Sequence, residues 1–136
     1  MSMNNSPGGM IATPMTDALA RFLDIDVARY KLITSNLANI DTPGYRARDL
    51  DFRGELRRAA AEESGFERYG PSGASFQPVA RQVHGLIQRP DGNDVSVERE
   101  SLLLAETQMK FNLGVQLLKE QFHIVSMAIN SGGTGS

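Results

Sequence analysis

The sequence has 136 residues, enough for one domain but not for two. Hydrophobic residues make up 40% and the formal net charge is −2, which excludes a fully disordered chain and any general attraction to nucleic acid or anionic membranes. The absence of cysteine excludes disulfides and thiol chemistry, and no apolar run approaches the roughly 20 residues of a membrane-spanning helix.

A long amphipathic helix is predicted to follow a flexible N-terminal arm at residues 1–13. It opens at Pro14 or Thr16, and with the turn that ends it forms a segment at residues 14–45. Apolar residues recur along this helix at spacings of three and four, which places them on one stripe: Leu19, Leu23, Val27, Tyr30, Ile33 and Leu37. Largely outside this stripe lie the charged residues Asp24, Asp26, Arg29 and Lys31.

A Pro-Gly turn is expected to end this helix. Pro43 lacks a backbone donor and disfavours helical geometry at Thr42. Gly44 can adopt a positive φ, so Pro43 and Gly44 suit the two central positions of a type II turn. Asn39 can bond the backbone groups that the helix end leaves unpaired, and Tyr45 offers a large amphipathic ring just outside the turn.

The middle region, residues 46–95, is predicted to be irregular. After a short extended segment, residues 52–63 favour a second, short helix because of their alanine run. Residues 79–88 are predicted to form a strand that pairs back with residues 95–97, as a β-hairpin across the turn signal at residues 91–93.

The C-terminal helix is predicted at residues 96–130, capped by Ser96 and followed by a flexible tail at residues 131–136. Its apolar residues follow a heptad pattern that is typical of a coiled-coil seam: Leu104, Phe111, Val115, Leu118, Phe122, Val125 and Ile129. Together with the stripe of the first helix, these residues are called the helix seam.

The predicted fold is therefore mainly α: two long amphipathic terminal helices packed as an antiparallel coiled-coil-like pair, with a short irregular middle. More apolar residues flank the seam on the C-terminal helix than one partner helix can cover. This excess predicts contacts with further subunits.

No constellation of residues predicts catalysis. His84 and His123 are isolated, and neither a metal-ligand spacing, nor a phosphate-binding glycine loop, nor a nucleophile with its base is present. We therefore predict no enzyme, no cofactor, no metal, no catalytic residue and no small-molecule substrate. A local basic cluster has acidic residues interleaved, which favours salt bridges between subunits or a solvated face over nucleic-acid binding: Arg46, Arg48, Arg53, Arg57 and Arg58.

Residues 35–45 read SNLANIDTPGY, and this string resembles the N-terminal signature of the bacterial flagellar axial proteins, the rod, hook and hook-associated subunits. The continuation RARDLDF at residues 46–52, the chain length and the C-terminal helix resemble the short rod subunit nearest the membrane. The resemblance implies a structural subunit of the proximal rod, which polymerises through its terminal helices into a hollow drive shaft. It also implies an assembly and turn motif: Asn36, Asn39, Thr42, Pro43, Gly44 and Tyr45.

The same resemblance implies partners and a location. The partners are further copies of the chain, other rod proteins, the adaptor that links the rod to the membrane ring, and the flagellar export gate. The location is the periplasmic rod of the basal body, reached unfolded through the flagellar type III apparatus without a cleaved signal peptide.

Three alternatives stay open at this point. A hook or distal rod subunit would usually carry a larger middle domain than this chain has. A helical binding module that forms a closed dimer would also cover the apolar stripes. A small RNA-binding protein would use the arginine cluster.

Overall fold

The computed structural model describes residues 13–64 and 76–133. Within these ranges the protein consists of three helices and two short strands, in the order α1 (Pro14–Ala38), β1 (Arg48–Asp49), α2 (Phe52–Ser64), β2 (Arg81–Gln82) and α3 (Val97–Gly133). This confirms the predicted mainly α fold with an irregular middle. None of the helices in the described ranges has the length and apolar character needed to span a membrane.

Helix α1 begins at Pro14, one of its two predicted starts, and α3 begins directly after Ser96, its predicted cap. Thr13 caps α1: its hydroxyl accepts a hydrogen bond from the Thr16 N–H at 3.1 Å, while the Thr16 hydroxyl accepts from the Thr13 N–H at 2.6 Å. Ser96 caps α3 by accepting from the Arg99 N–H at 3.3 Å. At its other end α3 continues through Gly133, three residues past the predicted end. The rest of the predicted arm and tail lies outside the described residues.

Helices α1 and α3 pack side by side in opposite directions, as predicted. Asn36 near the end of α1 donates a hydrogen bond to Glu100 in the first turn of α3. Leu23, near the middle of α1, packs against Gly114, which lies further along α3. A methyl group at Gly114 would lie 2.7 Å from the Leu23 side chain, so the two helices approach closely there. On this register the start of α1 lies level with the region around Phe122, and the last turns of α3 extend past α1.

Helix α2 packs against α1 and closes a small core. Ile25, Leu50 and Ala59 are buried together at its centre. The rings of Phe22 and Phe52 meet edge to face beside them, with their centroids 5.1 Å apart. The packing of α2 therefore depends on α1, and Phe22 of α1 also approaches Gly114 of α3.

The predicted β-hairpin is wrong. Strand β2 pairs antiparallel with β1, with Arg48 opposite Gln82, and not with residues 95–97. The last of those residues begins α3, because the serine before it is committed to capping the helix, and the Val95 N–H bonds the Asn93 side chain at 2.8 Å. The extended segment after the Pro-Gly turn contains β1, whose backbone N–H and carbonyl groups bond those of β2 in place of residues 95–97.

Candidate functional site

The turn after α1 has the predicted geometry. The Tyr45 N–H donates to the Thr42 carbonyl at 3.2 Å, and Gly44 has φ +75°, as a type II turn centred on Pro43 and Gly44 requires. Asn39 caps the helix by donating from both its backbone and its side-chain amide to the Ser35 carbonyl, at 3.1 and 2.8 Å. The chain therefore leaves α1 in one fixed direction.

A second loop, residues 89–95, braces this turn from outside. Asn93 is fully buried, and its side-chain amide donates to the carbonyls of Asn39 and Thr42, both at 2.9 Å. The Gly44 N–H donates to the Asp91 carbonyl at 2.8 Å. Asn93 was predicted only as part of a turn signal, because sequence spacing does not reveal a partner about 50 positions away.

Asn36 is the residue of the motif that connects three other parts of the chain by hydrogen bonds, and it is almost fully buried. Its amide group donates to the Arg48 carbonyl at 2.8 Å and to Glu100 at 3.1 Å. Its amide oxygen accepts from the Arg48 N–H and from the Tyr45 hydroxyl, both at 3.1 Å. One side chain thus joins α1 to β1, to α3 and to the aromatic ring that ends the signature.

An ion-pair network beside Asn36 joins the same elements. Arg29 donates twice to Asp49, at 3.0 and 3.2 Å, and Arg99 donates to the same carboxylate at 2.9 Å and to Glu100 at 2.8 Å. Burial alone would raise the pKa of Asp49, but the hydrogen bond and charge of Arg29 hold that pKa below its ordinary value. Asp49 is therefore a structural group that holds β1 against α1 and α3.

The arginine cluster is partly neutralised within the chain. Arg46 pairs with buried Asp94 at 3.3 Å, and Arg58 pairs with Glu55 at 2.6 Å. Arg53 and Arg57 stay exposed on α2. This arrangement lacks the continuous basic strip that the RNA-binding alternative needs. In the described part of the chain, no group of three or more histidine, aspartate or glutamate side chains is placed to hold a metal ion.

The helix seam is only partly internal. Ile33 is buried, while seven of its residues are half-buried: Leu19, Leu23, Leu37, Leu104, Val115, Leu118 and Val125. The remaining five are 38–50% exposed: Val27, Tyr30, Phe111, Phe122 and Ile129. Further apolar side chains are exposed on the other side of α3, and together with Phe111, Phe122 and Ile129 this apolar surface around the helix is called the exposed apolar face: Leu113, Leu117, Ile124 and Met127.

The contact between α1 and α3 instead uses polar and small residues that the apolar pattern does not reveal. Glu100, Thr107 and Gly114 recur on α3 at spacings of seven and are all buried. On α1, Asp26 was placed on the polar side, and this is wrong: only 1% of its surface is exposed. It lies one position from buried Ile25, on the side of α1 that meets α3.

A Gly44→Val variant is expected to destabilise the isolated subunit by about 1–3 kcal/mol, because a β-branched residue reaches a positive φ only with strain. Beyond its chain neighbours, no atom lies within 4 Å of a Cβ placed at Gly44, so backbone strain and not a steric clash causes the expected loss of stability. Urea unfolding measures the loss, and Arg57→Ala on the exposed side of α2 is the control, with an expected change within about 0.5 kcal/mol. Equal stability of the two variants would contradict the strained turn.

The stability of the isolated subunit is expected to fall as the pH rises from about 4 to about 6. Burial raises the pKa of Asp26 to about 6, and the nearby charges of Lys110 and Arg29 offset this only in part, with Glu106 acting against them. The folded state therefore keeps a proton on Asp26 that the unfolded state loses near pH 4. Across this pH range the free energy of unfolding falls by on the order of 3 kcal/mol.

Urea unfolding at several pH values measures this effect. An Asp26→Asn variant should lack this fall between pH 4 and 6, while Asp24→Asn, at an exposed position of the same helix, should retain it. Parallel stability curves for the wild-type chain and Asp26→Asn would contradict the raised pKa.

Comparisons with known proteins agree with this architecture. Residues 27–46, which contain the end of α1 and the turn, match a family model described as flagella basal body rod protein. The chain is 30% identical over 132 residues to the flagellar basal body rod protein FlgB of Salmonella typhimurium, a match that covers 85% of this chain and 96% of the relative. It is also 33% identical over 115 residues to FlgB of Cereibacter sphaeroides, with 81% and 89% covered, and 27% identical over 128 residues to FlgB of Borrelia hermsii, with 83% and 93% covered. The chain belongs to the FlgB family of flagellar basal-body rod proteins and is a structural subunit of that rod.

Proposed function

We propose that this subunit builds the proximal part of the rod, nearest the membrane, and that it polymerises through α1 and α3 into a hollow drive shaft. The observation that supports this most directly is the exposed apolar face of α3. Phe111, Leu117 and Phe122 are each more than 40% exposed on a helix that is already paired with α1. Apolar area of this extent is favourably buried against other subunits.

The motif residues act in this proposal as an assembly motif by fixing one subunit shape. Asn39, Thr42, Pro43 and Gly44 set the direction of the chain, while Asn36 joins it to α3 and accepts a hydrogen bond from Tyr45. In this proposal the segments 14–45 and 96–130 make the contacts between subunits. The described part of the middle region, residues 46–95, packs against them within each subunit. A rigid turn gives every copy the same angle between these parts, which a regular helical assembly needs.

The proposed partners are neighbouring copies, other rod proteins, the adaptor to the membrane ring and the flagellar export gate. We also propose that the chain reaches the periplasmic rod unfolded through that gate, without a cleaved signal peptide. These proposals rest on membership of the rod family and on the resemblance of residues 35–52 to the axial signature.

Electron microscopy of labelled basal bodies tests the location. The sequence contains no cysteine, and Ile87 is 92% exposed, so Ile87→Cys provides one site for a thiol-reactive gold cluster. We expect gold at the membrane-proximal end of the rod in basal bodies from a strain that carries only this variant. The cysteine-free wild-type chain, treated in the same way, is the control for unspecific labelling. Gold in the hook, or a chain that is absent from basal bodies and forms a closed dimer, would contradict the proposal.

A further inference from the structure

A groove between α1 and α3 has the Asp26 carboxylate at its floor. No group among the described residues donates a hydrogen bond to this carboxylate. The groove has a volume of about 570 Å³ and is open along one side. Asp26 lies at its floor, and six other residues line it: Val27, Tyr30, Thr107, Gln108, Phe111 and Asn112. It is called the Asp26 groove.

Two buried side chains of this groove have unused hydrogen-bonding capacity. Both carboxylate oxygens of Asp26 and the hydroxyl of Thr107 have no hydrogen-bond partner among the described residues, although the two residues are 1% and 2% exposed. Buried polar groups in folded proteins are nearly always bonded, and a buried carboxylate without a partner is strongly unfavourable. Such a group indicates a donor that the isolated subunit lacks.

The cations of the chain that lie nearest to Asp26 are held by other groups. Lys110 bonds Glu106 at 2.8 Å and lies 4.2 Å from the centre of the Phe52 ring. Arg29 is committed to Asp49 by two hydrogen bonds. Their charges reach Asp26, but their donors do not, so the groove keeps acceptors that a further cation can use.

The walls of the groove favour a guanidinium group over an ammonium group. Tyr30 and Phe111 are both more than 40% exposed and flank the opening, where their rings can stack on a planar cation. The Asp26 carboxylate and the Thr107 hydroxyl offer three acceptor atoms, which suits the five N–H donors of arginine.

We propose that the Asp26 groove receives an arginine side chain from the neighbouring subunit of the assembled rod. The inserted guanidinium bonds Asp26 and Thr107 and stacks between Tyr30 and Phe111. The proposal rests on the proposed function, because it needs a subunit packed against α1 and α3. Copies of this chain can themselves supply the side chain, since Arg53 and Arg57 are exposed on α2.

This site predicts opposite effects of one substitution in two states of the protein. In the isolated subunit, Asp26→Asn removes a buried charge that has no bonded partner, so the midpoint of thermal unfolding at pH 7.5 should rise by roughly 5 °C or more. In the rod the same variant loses its ionic partner, and the diameter of swimming rings should fall to half or less. Asp24→Asn, two positions away and exposed, should change neither measurement.

Photo-crosslinking identifies the inserted group. Gln116 is exposed on α3 one turn beyond Asn112, and Gln116→Cys in the cysteine-free chain carries a benzophenone next to the groove. In purified basal bodies we expect a crosslink to an arginine-containing peptide of a neighbouring rod subunit. Adding Asp26→Asn should reduce the yield of that crosslink at least fivefold.

Three outcomes would overturn the proposal. A lower unfolding temperature for Asp26→Asn would mean that Asp26 has a partner in its own chain. Crosslinks confined to the same chain, or to peptides without a basic residue, would mean that no arginine enters the groove. Normal swimming and an unchanged crosslink in Asp26→Asn would remove this site. If Phe122→Asp, tested separately, abolishes assembly, the proposed function stays intact.

Discussion

A Phe122→Asp variant is expected to fold as an isolated subunit and to fail completely in rod assembly. Phe122 is 43% exposed on α3 and belongs to the exposed apolar face, so the folded subunit tolerates a carboxylate there. In a polymer that covers this face, the same carboxylate is buried without a partner, at a cost of several kcal/mol. Because every subunit of the polymer carries the same buried carboxylate, the cost recurs in each copy and prevents assembly.

The measurement is swimming and rod completion in a strain that carries only the variant, with thermal unfolding of the purified subunit beside it. Ser101→Asp introduces the same charge at an exposed polar position near the start of α3, outside the helix seam and away from the Asp26 groove, so it should allow assembly. Normal swimming of Phe122→Asp at wild-type protein levels would mean that the exposed apolar face is not a subunit contact.

An Asn36→Leu variant is expected to lose about 4 kcal/mol of unfolding free energy. Leucine has a similar size, so the loss comes from hydrogen bonds and not from a cavity. The substitution leaves the N–H and carbonyl of Arg48 unpaired in a partly buried place and removes one donor from the fully buried Glu100. Each buried polar group left unsatisfied costs about 1–3 kcal/mol, and the total is a large part of the roughly 5–15 kcal/mol that stabilises a domain.

Urea unfolding of the purified subunit measures this loss. Gln116→Leu, a similar exchange of an amide for an apolar side chain at an exposed position, should change the stability by no more than about 0.5 kcal/mol. A loss below about 1 kcal/mol in Asn36→Leu would show that water or a rearranged Arg48 satisfies the freed groups.

The helices and the turn could be predicted from sequence because their signals are local. Thr16 beside Pro14, Ser96 before two glutamates, and the Pro43-Gly44 pair each act within four residues, and the structure has all three features. The rod family was also predictable from residues 35–52, and membership of that family confirms a structural subunit and not an enzyme.

The parts that were wrong or missed depend on partners far along the chain. Apolar spacing identified the surface of α3 that needs covering, but within the subunit α1 packs on other residues of α3, namely Glu100, Thr107 and Gly114. A polar residue carries no sign of burial in the sequence, which is why Asp26 was misplaced. The pairing of β2 depended on a free strand edge more than 30 positions earlier.

The bracing of the turn by Asn93 and Glu100 also determines the order in which this chain can fold. The hydrogen bonds that hold Asn36, Asn39 and Thr42 join residues 51 to 64 positions apart. A chain that emerges with its N-terminus first therefore makes α1 and the turn residues long before their partners are present, and a single helix without its packing partner is only marginally stable in water. Closure of the native structure waits until position 100 has emerged, and non-local closure of this kind is slow. On the export route proposed above, the chain therefore stays flexible during export and becomes rigid only after its C-terminal half has emerged.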